Sequence, residues 1–275
     1  MKNPFPFLMF LAVSTLAGCC VHSGLRHPGD RPTLVDELKS DTIALVHRAA
    51  DDDVLPFCSA VWIDKDRAIT ADHCARAPVE ALVKTLMPGD DVDEDDEDAV
   101  KKFLAAREEM VQKLEDGTKI DYITDKESTG VYRKPKASHK FKVLKHDKDH
   151  DLALLVVDDP KDIPDHHVAP LVDKAPPVGE EVHVMGHPTG MTWTYVRAMI
   201  GAYREENFRP TEGRHKKGPF VQVIGAVYKG NSGGGAFTAN GELVGIASFL
   251  VPSPNHCMFV HVETIRSFLG RPVPR

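Results

Sequence analysis

The feature that most constrains this chain is a succession of short β-rich runs punctuated by turn residues. Thr42–His47, Ser59–Ile63, Phe141–Leu144, Leu152–Val157, Val182–Met185, Trp193–Tyr203, Phe220–Ile224, Leu243–Phe249 and Met258–Val262 are each rich in β-branched or aromatic residues. Runs this short, without long intervening amphipathic helices, predict a mostly antiparallel all-β protein, either a barrel or a sandwich. Glu263–Leu269 reads as a short C-terminal helix, ended by Gly270 and Pro272. With 275 residues, 42% of them hydrophobic, the chain can bury a substantial core.

Two segments break the β pattern. Residues 90–98 (DDVDEDDED) hold eight acids, and without them the formal net charge of −7 becomes about +1. The acidic run leads into AVKKFLAAREEMVQKLED, in which Val100, Phe103, Leu104, Val111 and Leu114 recur at near-helical spacing. A helical insertion is expected over about 88–117, its acids suiting the positive end of the helix dipole. Asp91, Asp93 and Asp95 alternate as calcium ligands do. An EF-hand loop, however, needs glycine where Asp96 stands and glutamate where Lys102 stands.

The N-terminus carries Lys2 and an apolar run from Phe5 to Ala17, the length of a signal-peptide core and too short for a membrane-spanning helix. It ends in Leu16-Ala17-Gly18-Cys19, which resembles a bacterial lipobox and implies lipidation at Cys19. Ordinary cleavage near Ala17 and Gly18 is the alternative, and both export the protein. Cys20, rather than an acid, follows the lipidation position, which favours outer-membrane placement. Residues 1–19 are therefore expected to be a targeting signal, 20–40 a linker, 41–270 the folded domain and 271–275 a tail. Export permits disulfides. Beyond Cys19 and Cys20 the cysteines are Cys58, Cys74 and Cys257, an odd number.

No basic stripe marks a nucleic-acid binder. Fourteen histidines raise the question of a metal, yet no H-E-x-x-H or closely spaced Cys/His set supports one, and no cofactor is expected.

Three short segments carry chemistry: Thr70-Ala71-Asp72-His73-Cys74 after an apolar strand, His150-Asp151-Leu152-Ala153-Leu154-Leu155 opening another, and Gly230-Asn231-Ser232-Gly233-Gly234. Each alone is commonplace, since a Gly-Ser cluster is usually a turn. Together, in the order His, Asp, Ser, they resemble the T-A-A-H-C, D-[IL]-A-L and G-[DN]-S-G-G motifs of the trypsin-like serine peptidases. The resemblance runs from about Thr42 to Leu269 and implies two six-stranded antiparallel β-barrels with the site between them. It implies a catalytic triad of His73, Asp151 and Ser232, with the backbone N–H groups of Gly230 and Ser232 as the oxyanion hole. The substrate would be a polypeptide. Among competing acids Asp147, Asp149 and Asp158, only Asp151 directly precedes the Leu-Ala-Leu-Leu strand.

The same resemblance implies a Cys58–Cys74 disulfide beside the histidine, against the alternative of two reduced core thiols. It puts Ala226, Ser248, Phe249, Leu250 and Cys257 near the substrate, with a small or apolar residue preferred before the scissile bond. Two departures stand out. Asp72 replaces an alanine next to the histidine, and Asn231 replaces the aspartate that pairs with a new N-terminus in digestive enzymes. Asn231 and Val184-Met185-Gly186-His187-Pro188 look more like the high-temperature-requirement proteases of bacteria, although a PDZ module is not expected within these 275 residues. Two other readings compete. G-x-S-x-G also marks the nucleophile elbow of α/β-hydrolase esterases, though only 43 residues follow Ser232 to supply a later acid and histidine. A catalytically silent, lipid-anchored module could use the same scaffold to bind a peptide or partner.

Overall fold

In the computed structural model, the described residues are 32–48, 53–87, 96–115, 118–128, 135, 138–208 and 215–272. The lipobox with Cys19, the signal segment and most of the acidic run lie outside them. Twelve strands close into two barrels. The first contains β1 (Thr42–Arg48), β2 (Val54–Trp62), β3 (Arg67–Thr70), β4 (Lys119–Ile123), β5 (His139–Asp147) and β6 (Leu152–Val157), in the order β1-β2-β3-β6-β5-β4. The second contains β7 (Glu181–Gly186), β8 (Thr194–Arg204), β9 (Phe220–Ile224), β10 (Gly235–Phe237), β11 (Leu243–Leu250) and β12 (His256–His261), in the order β7-β8-β9-β12-β11-β10. Every pairing within the barrels is antiparallel. Of the two architectures left open by the strand pattern, the chain takes the barrel. This excludes an α/β-hydrolase, because a nucleophile elbow needs a parallel sheet backed by crossover helices.

Closure lets each sheet bury one face while leaving little open edge. The first barrel is filled by aromatic packing: Trp62 lies edge-on to Tyr122 and Phe141, whose rings stack 3.9 Å apart. The second is filled mainly by aliphatic side chains such as Val182, Val184, Ile200, Val223, Leu243 and Ile246.

Four helices decorate the barrels: α1 (Leu34–Asp41), α2 (Asp72–Leu86), α3 (Glu97–Glu115) and α4 (Val262–Leu269). Helix α1 begins inside the stretch expected to be linker, 20–40, and ends one residue beyond it. Its start is written in a capping box, in which Thr33 accepts from the Asp36 N–H and the Asp36 carboxylate accepts back from Thr33. The expected insertion helix is present as α3, but it has a partner that periodicity did not reveal. Helix α2 begins one residue before His73, and its interior Pro78 has no N–H to donate to the Cys74 carbonyl. Val79 and Val83 of α2 compensate by packing against Met110, Val111 and Leu114 of α3. Polar contacts reinforce the pair: buried Arg76 reaches Glu115 at 2.6 Å and Glu108 at 3.2 Å on α3, as well as Glu80 of its own helix at 3.4 Å.

Several contacts join the barrels. In the β7–β8 connection, the Trp193 indole N–H donates to the Thr42 carbonyl of β1, while its ring packs against Ala44, Val46, Val54 and Ile123. The Trp193 backbone N–H donates to Nδ1 of His187, which is fully buried. Lys145 of β5 reaches the other way, donating to the Phe268 carbonyl at the end of α4 and lying over its ring.

Burial holds the His187 imidazole neutral and brings its pKa down from 6.5 to about 3. The unfolded chain therefore takes up a proton near pH 6.5 that the folded protein refuses until near pH 3, so stability falls as pH drops through that window. The loss attributable to His187 is on the order of 5 kcal/mol. Urea unfolding of wild type and His187→Gln between pH 7 and pH 4 is expected to give a flatter stability curve in the variant. Parallel curves would assign the acid sensitivity elsewhere.

Candidate active site

A cleft of about 780 Å³ is lined by His73 and Asp151 from the first barrel and by Gly230, Ser232 and Ser248–Leu250 from the second. Strand β3 ends at Thr70, and the chain turns into α2 so that His73 lies on its first turn. The Cys58–Cys74 disulfide ties that turn to β2, with Cα atoms 6.0 Å apart. The loop it closes spans 16 positions, which on chain-entropy grounds stabilises by roughly 3 kcal/mol.

Asp151 sits between β5 and β6 in the left-handed region (φ +58°), a conformation an aspartate tolerates better than most residues. That turn aims its carboxylate inward, where the residue is wholly buried. Oδ2 lies 3.0 Å and Oδ1 3.1 Å from His73 Nδ1, and Oδ1 also accepts the His73 backbone N–H at 3.2 Å. Two groups of the second barrel complete its shell. The Ser248 hydroxyl donates to Oδ2, and the Lys216 ammonium contacts Oδ1 at 2.7 Å. Burial alone would raise the Asp151 pKa, but the hydrogen bonds and charges of His73 and Lys216 outweigh it and hold the carboxyl well below its ordinary range.

The other acids of the region are engaged elsewhere. Asp147 binds His150, Asp149 binds Lys217 at 2.7 Å, and Asp158 binds Lys119 and Lys142. Asp72 turns from His73 to His146 Nδ1, 2.6 Å away.

The Ser232 loop is held from three sides. The Ser232 carbonyl accepts from the Ser59 N–H at 2.8 Å, the Gly233 N–H donates to the Ala247 carbonyl, and the Ser59 hydroxyl donates to the Gly230 carbonyl. Two glycines are required here by space as well as by conformation. A Cβ on Gly230 (φ +100°) would lie 2.4 Å from the His187 carbonyl oxygen, and one on Gly233 (φ +81°) would lie 2.1 Å from that of Ser59. Among the described residues, the N–H groups of Asn231, Gly233 and Gly234 donate to backbone carbonyls, whereas those of Gly230 and Ser232 do not.

The residues expected to meet substrate divide. Ser248, Phe249, Leu250 and Cys257 line the cleft, and burial pushes the Cys257 thiol up to about 12, so it remains a neutral apolar wall. Ala226 is exposed and does not line the cleft; Val227, 3% exposed, does so instead. Sequence reading missed Lys216, Ser59 and the His187–Gly190 turn, where the Thr189 N–H donates to the Lys229 carbonyl beside Gly230. Lys216 and Ser59 belong to no motif, His187 and Pro188 were noted in sequence only as part of the Val184–Pro188 segment, and the positions of all of them follow from barrel packing.

The residues expected as a triad thus share one cleft, on a scaffold with clear relatives. A serine endoprotease from Yersinia pestis superposes with a TM-score of 0.55 at 17% identity, covering 88% of this chain and 67% of that one. The active form of the Rv3671c protease from M. tuberculosis gives 0.57 at 15% identity, covering 100% and 96%. At such identities the likeness concerns the fold. In sequence, the chain is 34% identical over 109 residues to "Protease Do-like 1, chloroplastic" of Arabidopsis thaliana, covering 38% of this chain and 24% of that protein. It is also 34% identical over 105 residues to "Probable periplasmic serine endoprotease DegP-like" of Rhizobium meliloti (strain 1021), covering 38% and 19%. The chain thus spans about a quarter or less of these relatives. The profile of the trypsin-like peptidase domain matches residues 58–246, most of the two barrels, and the chain belongs to that family.

Proposed function

We propose that the protein is a serine endopeptidase that hydrolyses polypeptides through an acyl-enzyme. The observation that carries this reading is the buried Asp151 carboxylate bonded to Nδ1 of His73 in the cleft that Ser232 lines. A serine hydroxyl is a weak nucleophile at neutral pH and needs a base positioned to take its proton. With Nδ1 donating to Asp151, the Nε2 lone pair of His73 is the available base. His73 accepts the Ser232 proton during attack on the peptide carbonyl, and the imidazolium is stabilised by Asp151. His73 then returns the proton to the leaving amine and activates the water that releases the acyl group. The unengaged N–H groups of Gly230 and Ser232 are suited to receive the oxyanion.

Substrate geometry follows from β11. Its partner β10 pairs no further along it than Ile246, so the edge at Ser248–Leu250 remains open to an extended peptide while the other side pairs with β12. Val227, Phe249, Leu250 and Cys257 bring no charge to this end of the cleft, which favours a small or apolar residue before the scissile bond. We further infer that the chain is exported and held at a membrane surface by lipid on Cys19, with residues 41–270 as the peptidase domain.

Fluorophosphonate labelling is expected in the wild type and absent in Ser232→Ala and His73→Ala, with casein cleavage following the same pattern. A folded wild type that neither labels nor cleaves casein would instead identify a binding module. Gly230→Ala, whose added methyl must displace the His187 carbonyl, is expected to lower kcat by on the order of 10²–10³ while leaving KM within a few fold; an equal loss in both constants would mean that Gly230 acts on ground-state binding. Cys19→Ala is expected to move the protein from detergent-extracted membranes to the soluble fraction of the envelope. Unchanged fractionation would assign conventional cleavage.

A further inference from the structure

Serine peptidase chemistry as proposed above requires only His73 and a hydrogen-bonding neighbour such as Ser248 at the buried aspartate. Here a full positive charge is added. Lys216 Nζ lies 2.7 Å from Asp151 Oδ1, the two side chains being 10% and 0% exposed. The lysine lies in the β8–β9 connection, where the backbone at Lys216 and Lys217 is bonded on both sides. Phe208 and Lys216 exchange N–H to carbonyl bonds at 2.9 and 2.8 Å, and the Lys217 N–H donates to the Asp149 carbonyl at 2.8 Å. The Lys217 ammonium closes a second pair with the Asp149 carboxylate at 2.7 Å. A segment of the second barrel is thereby pinned to the turn of the first that carries Asp151.

The remaining charged groups around the cleft are already paired. Asp72 is held by His146, and His150 by Asp147. Arg76 and Lys148 are bound to acids of α2 and α3: Glu80 and Glu108 at 3.4 and 3.2 Å from Arg76, and Glu115 at 3.5 Å from Lys148. Lys229 lines the cleft as well. Lys216 is the cation in direct contact with the carboxylate that His73 uses.

We propose that Lys216 is a positioning residue for His73: by sharing the Asp151 charge it weakens the imidazole's hold on a proton, so that the base stays neutral, and the enzyme active, at lower pH. The inference rests on the peptidase reading of this site. Its physical basis is that protonating His73 places two cations against one buried carboxylate, whereas without Lys216 the imidazolium and Asp151 form a neutral pair. A lysine that served only to dock the β8–β9 connection would alter stability or overall rate without moving the His73 titration.

The test reads His73 directly. In the full chain carrying Ser232→Ala, the His73 ring is titrated by NMR with Lys216 intact and as Lys216→Gln, Lys216→Met and Lys216→Arg. Removing the charge is expected to raise the His73 midpoint by about one pH unit, and arginine to leave it in place. In the Ser232 protein, the acid limb of kcat/KM moves up with it, so Lys216→Gln loses up to about tenfold more activity than wild type below both midpoints. Glutamine retains a donor to Asp151 and methionine retains the volume, so either folded variant suffices. A midpoint unchanged in the uncharged variants overturns the inference. Because the titration needs no turnover, a shifted midpoint upholds it even if fluorophosphonate labelling fails, and labelling of the wild type upholds the peptidase reading even if the midpoint stays put.

Discussion

The Asp151 carboxylate is the point on which the arrangement of this molecule depends. A carboxylate with no solvent exposure is costly unless every lone pair is engaged, and breaking such a shell by removing one partner typically costs 3–5 kcal/mol. Its partners come from both barrels: the backbone and ring of His73 from the first, Ser248 and Lys216 from the second. Satisfying one buried charge therefore also fixes the barrels against each other at the place where the chemistry is proposed. His73, about two-fifths exposed, has a free face only because its other face is held here.

The Ser232 loop shows the opposite pattern: among the described residues the N–H groups of Gly230 and Ser232 donate to no backbone carbonyl, while the groups around them are anchored. Ser59, Ala247 and the His187–Gly190 turn hold the loop's other groups, and at Gly230 and Gly233 any side chain would strike backbone oxygen. The disulfide does for α2 and His73 what these bonds do for Ser232.

The helical insertion is joined to the site through α2. Residues His73 to Arg76 run from the cleft histidine to the guanidinium that gathers Glu80, Glu108 and Glu115, so the packing of α3 and the placement of His73 share the first turn of α2. Glutamates of α3 thereby act on the His73 turn although no sequence motif connects them.

Much of this was legible in the chain. Runs of β-branched and aromatic residues between turns placed β6 and β9 to the residue and most other strands to within a few positions, and the three motifs singled out His73, Asp151 and Ser232, which the fold brings to one cleft. Local signals failed where packing decides. Strands β3 and β10 are too short to announce themselves, the charged Lys119 and Asp121 interrupt β4, α2 was hidden by Pro78 and by the motif at its start, α1 lay largely in what read as a linker, and Ala226 yields its expected place in the cleft to Val227. What the sequence by itself determined was the composition of each element and the identity of the residues that chemistry would need. Only the tertiary structure decided that Asp72 turns to His146 and that Lys216, 65 positions from Asp151, becomes its ion partner. Long-range electrostatic pairing depends on barrel closure bringing distant loops together, and no periodicity or spacing along a chain records that distance.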